Sequence, residues 1–95
     1  MATSVTGNLQ KGRDGRRQTD LEAIRSALEI YRSDKGEYPA TGSLNLLALD
    51  YISVIPKDPQ DPARTYTYTS GGTTYQLCAD LEKVAGVNDY CVTNP

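Results

Sequence analysis

The side chains that could do chemistry are few, and their types exclude more than they allow. The chain of 95 residues holds two cysteines, Cys78 and Cys91, and no histidine. Without His the commonest general base and the commonest metal ligand are missing, so hydrolytic triads and zinc centres lack their usual parts. Ser and Thr are plentiful, but no base accompanies them. Asp58 with Asp61, or Asp80 with Glu82, can be imagined as paired carboxylates for acid/base work. Such chemistry needs an environment that drives the two pKa values apart, and both pairs fall in stretches that read as solvated loops. Asp80, Glu82, Asn88 and Asp89 offer oxygens to calcium but lack the regular alternation of a dedicated loop. No catalytic, cofactor or metal site is expected.

The cysteines do not have the close spacing of a zinc or redox motif. A disulfide between Cys78 and Cys91 is their simplest use, with two buried thiols in a reducing compartment as the alternative. A disulfide implies an oxidising, extracytoplasmic setting. Closing a loop of this length contributes about 3 kcal/mol in the chain-entropy model, a large share for a domain of this size. No secretory signal, lipidation signal or transmembrane run is present, and the first ten residues are polar and small. The two observations agree if Met1 is an artificial start and a native export or membrane segment has been removed.

The net charge of −2 argues against a nucleic-acid or acidic-membrane binder. Lys11, Arg13, Arg16 and Arg17 form a basic cluster with Asp14 as its only acid. It could meet phosphates or an acidic partner, but a solvated stretch of helix is the simpler reading.

The element that must position everything else runs from Arg13 to Pro39. At about 100° per residue, Leu21, Ile24, Leu28 and Tyr31 fall along one side, and Ala23, Ala27 and Ile30 widen it to roughly half the circumference. Glu22, Arg25, Glu29 and Arg32 gather opposite. Thr19 and Glu22 have capping-box spacing for a start; Arg32, Lys35, Gly36 and Pro39 supply a stop. Upstream, Arg13, Arg16 and Arg17 occupy the arc that is apolar further on, and Gly7, Gly12 and Gly15 weaken the helix. Residues 1–18 are therefore expected to be a polar stalk, disordered at its beginning and not covered by the globular domain, which spans 19–95.

After Pro39, Ser43 can cap a short helix from Leu44 to about Leu49 with Leu44, Leu47 and Leu46 inward. Tyr51, Ile52, Val54 and Ile55 form an apolar group without a firm assignment, and Pro56, Pro59 and Pro62 make a stiff, solvated link. Tyr- and Thr-rich runs then flank Gly71-Gly72, a pair suited to a two-residue hairpin turn. That turn would pair Tyr68 with Tyr75 and Tyr66 with Leu77 on one face, and Thr67 with Gln76 and Thr69 with Thr74 on the other. The Tyr and Leu face should lie on the helix; an exposed Tyr surface for sugars or bases is the alternative. An acidic loop, in which Lys83 is the only base, leads to a short last strand, Tyr90-Cys91-Val92. The outline is α+β: one long N-terminal helix packed on a small antiparallel sheet of about three strands.

This outline resembles a family. RRQTDLEAIRSALEIYRSDKGEYP at 16–39 is similar to the end of the long helix of type IV pilins and type II secretion pseudopilins, with its Tyr-Pro exit. YISVIPKDP at 51–59 resembles the segment leading into the pseudopilin sheet, and the cysteine pair resembles the disulfide bounding the C-terminal region of many pilins. The resemblance covers most of the chain after Gly15. It implies the soluble domain of a structural filament subunit, in a type IV pilus or a type II secretion pseudopilus, whose leader and hydrophobic half-helix have been removed. Such a subunit is membrane-anchored before assembly, sits in the cell envelope or at the cell surface, and has other subunits and the assembly machinery as partners. Arg13, Arg16, Arg17, Glu22, Arg25, Glu29 and Arg32 are then the candidate subunit contacts. The alternative is a minor pilin that binds DNA or a surface ligand for uptake or adhesion, although the charge makes nucleic acid an unlikely partner. Major pseudopilins also commonly carry a C-terminal calcium site, and no residue set here maps onto it.

Overall fold

Helix α1 (Ala2–Lys35) is continuous through Thr19, so the capping-box spacing there marks no start. The computed structural model of the chain describes residues 2–48, 50–82 and 90–95. From Arg16 to Lys35 the sequence contains neither Gly nor Pro, which lets the backbone ladder run without a break. At about 1.5 Å per residue such a helix accounts for the 52 Å long axis of the molecule. It stops where expected. Gly36 takes a φ of 90°, and its N–H donates to the Arg32 carbonyl at 2.8 Å, a left-handed cap that a side chain would strain.

The buried side of α1 is narrower than its apolar residues suggested. Leu21, Ile24, Ala27 and Leu28 are buried and Tyr31 is half-buried, but Ala23 is exposed and Ile30 is 56 % exposed. The reason is width. Three strands about 4.8 Å apart span roughly 10 Å, enough to cover one face of a helix but not half of it.

Strands β1 (Thr67–Ser70), β2 (Tyr75–Ala79) and β3 (Tyr90–Thr93) form one antiparallel sheet in that order. Tyr68 pairs with Leu77, Thr69 with Gln76 and Ser70 with Tyr75. The expected pairing of Tyr68 with Tyr75 is displaced by two residues, because the turn is centred on Gly72-Thr73 rather than Gly71-Gly72. The Gly71 N–H donates to the Thr74 carbonyl at 3.1 Å and Gly72 has a φ of 94°. A type II′ turn needs positive φ only at its first central residue, so the β-branched Thr73 fits the second. A displacement of two keeps the side-chain parity. The expected inward face therefore survives, and Tyr68, Tyr75, Leu77, Ala79 and Val92 pack with Leu21, Ile24 and Leu28 in one core.

The segment between helix and sheet closes the ends of that core. Tyr38 and Leu47 are buried. A single 3₁₀ turn, Leu44–Leu47, replaces the expected longer helix, and Ser43 makes no side-chain cap bond. With three residues per turn, Leu44 and Leu47 share a side, which leaves Leu46 50 % exposed. Ile52 bridges to Ala48 and Val54 is 76 % exposed. Across the outer face of the sheet Cys78 pairs with Cys91 in register, and the two are joined by a disulfide.

Candidate assembly interface

The central polar feature of the structure lies on the buried side of α1. Arg17 stands one turn before Leu21, on the same stripe, and is fully buried. Its guanidinium uses all five of its N–H donors. Nε and Nη2 donate to the two carboxylate oxygens of Asp58 at 2.8 and 3.0 Å. Nη1 donates to Asp14 Oδ1 and Glu82 Oε2, each at 2.8 Å, and Nη2 also reaches Gln60 Oε1 at 2.8 Å. Arg13, one turn further back, holds both oxygens of Glu82 at 2.5 and 2.7 Å. Two backbone bonds complete the set: the Glu82 N–H donates to Asp14 Oδ1 at 2.9 Å, and the Gln60 N–H to Asp58 Oδ1 at 2.8 Å.

Each protonation state follows from these contacts. The Arg13 hydrogen bonds, with those of Arg17, outweigh burial and hold Glu82 down at about 2. Burial pushes the Asp58 carboxyl up, but the Arg17 bonds and the Gln60 N–H bring it below its usual value. The Asp58 bonds in turn raise Arg17, and Glu82 raises Arg13. These four groups keep their charge through neutrality, so none of the four shuttles a proton near pH 7.

Two expectations are corrected here. The stretch around Arg13 and Arg17 is covered by the chain itself, with carboxylates in place of apolar side chains. Asp58 and Glu82 do not lie in solvated loops: Asp58 is 3 % exposed, and the Glu82 side chain is 7 % exposed. A charged residue in phase with an apolar stripe was the available signal, since such a residue is buried only with partners.

The other expected contact residues lie apart from this network. Arg16 is 62 % exposed and loosely paired with Asp20 at 3.7 Å, and Glu22 is 53 % exposed beside Arg25 at 3.7 Å. Glu29 is half-buried and accepts from the Tyr38 hydroxyl at 2.9 Å, while Arg32 is exposed with its guanidinium 5.4 Å from the Tyr38 ring centre. With exposed Thr19, Ala23, Ser26, Ile30 and Ser33 they edge the face of α1 that the sheet leaves uncovered. On the sheet side, a shallow groove of about 310 Å³ runs past Thr41, Thr69, Ser70, Thr74 and Gln76 with no charged side chain among its lining residues. It offers nothing to a phosphate backbone.

The calcium site implied by the resemblance does not fit the residues described. Both oxygens of Glu82 already accept from arginine, and Asp58 is enclosed by Arg17. Among the described residues no group of three or more His, Cys, Asp or Glu could hold a metal ion. Asn88 and Asp89 lie outside the described residues. Also among the described residues, no helix is long and apolar enough to cross a membrane.

Comparison with known proteins bears on one question, the family. No curated protein and no solved structure gives a significant match. The family model described as type II secretion system (T2SS), protein G matches residues 4–81, which include nearly all of α1, the first two strands and every member of the arginine network except Glu82. The chain therefore belongs to the protein G family of the type II secretion system, a family of structural pseudopilins.

Proposed function

We propose that this chain is the soluble part of a structural subunit of a type II secretion pseudopilus, held in the cell envelope and polymerised with other copies through α1. The observation that carries the reading is the family match over residues 4–81. The two-sided helix supports it: one side is sealed by the chain's own sheet and arginine network, and the other, with Ile30 at 56 % exposure, is uncovered. In this reading an apolar helix N-terminal to Met1 anchors the subunit and supplies most of the assembly energy. The part of α1 ahead of Arg13 forms the stalk that joins it to the globular part. The exposed charges Arg16, Glu22 and Arg32, with Arg25 and Glu29 at their edge, set the register between neighbours. Exposed ion pairs contribute at most about 1 kcal/mol each, enough to choose a register rather than to drive assembly. Arg13 and Arg17 act inside the subunit.

The test is charge reversal in a form carrying an apolar N-terminal helix, expressed with a type II secretion apparatus. Glu22→Arg and Arg32→Glu should each reduce filament yield, with the fold unchanged by circular dichroism, and a compensating reversal on the facing subunit should restore it. Filaments of normal yield in both variants would overturn the assignment of this face. No filament from the parent would overturn the function.

A further inference from the structure

The arginine network ties together three places far apart in the chain: the helix at Asp14 and Arg17, the proline-rich segment at Asp58 and Gln60, and the segment after β2 at Glu82. Around the guanidinium stand five oxygen contacts from three carboxylates and one amide, at 2.8 to 3.0 Å. Oxygen-rich cages of this kind are what hard divalent cations use to draw separate segments together. Here the centre is taken by a cation that is covalently part of the chain. The charges also balance: Asp14, Asp58 and Glu82 face Arg13 and Arg17, and Arg64 acts on Asp58 as a further positive charge. A divalent ion added here would meet cations on several sides and no free carboxylate of the cage.

We infer that Arg17 does the work of a bound metal ion at this junction, so that the chain anchors the segment after β2 to the helix without a divalent cation. This junction is then indifferent to the calcium level outside the cytosol, and Glu82 stays on the helix in a chelating medium.

The readout is thermal unfolding of the chain by circular dichroism, in EDTA and in millimolar calcium. The expected midpoint of the parent is the same in both media within about 2 °C. Glu82→Gln, which leaves the Arg17 to Asp58 pair intact, should lower the midpoint by roughly 4 °C or more, equally in both media. A parent midpoint higher in calcium than in EDTA would overturn the inference. So would a Glu82→Gln variant with the parent's midpoint.

Discussion

Replacing Arg17 with Met separates charge from packing. Met keeps a long apolar stem in phase with Leu21, so if Arg17 acted only by filling space the cost would be below about 1.5 kcal/mol. The structure points elsewhere. Met would leave Asp58, whose side chain has no exposure, with no cation bonded to it, and it would take one of two arginines from Glu82. Removing one partner of a buried ion pair costs about 3 to 5 kcal/mol, because the remaining charge is uncompensated. A chain of this length has on the order of 5 to 14 kcal/mol in all, so the variant should sit near the edge of stability. At about 4 to 8 °C per kcal/mol, the midpoint should fall by at least roughly 12 °C. The pH dependence should also invert. In the parent, Asp58 lies below its usual value, which gives stability at neutral pH that is lost in acid. Without Arg17, burial raises Asp58 above its unfolded value, so the variant should gain stability as pH falls from 7 to 5. Thermal unfolding by circular dichroism at the two pH values reads both effects. A midpoint within about 3 °C of the parent, with the same pH slope, would refute the reasoning.

Glu82, held at about 2 against an ordinary 4.5, contributes stability that is complete above pH 5 and lost as pH falls toward 2; Glu82→Gln should lower the neutral-pH midpoint and flatten this acid limb in a midpoint-against-pH series. The buried Tyr75 hydroxyl makes no well-formed hydrogen bond among the described residues, and burial pushes its pKa up to about 12 against the smaller opposing effect of nearby Arg25. Tyr75→Phe should therefore be neutral or stabilising by up to about 1 kcal/mol in urea unfolding, and a loss above 1 kcal/mol would show that the hydroxyl is satisfied. Gly15 is helical with open space where a Cβ would stand, whereas Gly36 has a φ of 90°; Gly15→Ala should stabilise the isolated chain by about 0.5 to 1 kcal/mol, and Gly36→Ala should destabilise it by about 1 kcal/mol or more.

What was legible in the sequence was set by local chemistry. The stop of α1 was readable because Gly36 and Pro39 act within one turn, and the inward face of the hairpin was readable because side-chain parity survives a displacement of two residues. The turn position was not, since adjacent glycines leave open which of them takes positive φ first. The extent of burial on α1 depends on sheet width, a tertiary quantity, and Ala23 and Ile30 were misplaced for that reason. The arginine network was missed because the partners of Arg17 lie 41 and 65 positions away, in segments that read as solvent-facing when taken alone. Arg13 and Arg17 in phase with Leu21 and Leu28 were the trace it left, and a stripe that changes from apolar to basic asks for buried acids elsewhere in the chain.

The most direct measurement on the central claim is photo-crosslinking from position 30 in assembled filaments. A benzophenone side chain replaces Ile30, on the face that the subunit's own sheet leaves uncovered, in the form that carries an apolar N-terminal helix. A crosslinked product of two copies that appears in filaments and is absent from the isolated subunit is the expected result. Filaments that form normally, with no product between copies from this position, would contradict the claim that α1 faces its neighbours through this side.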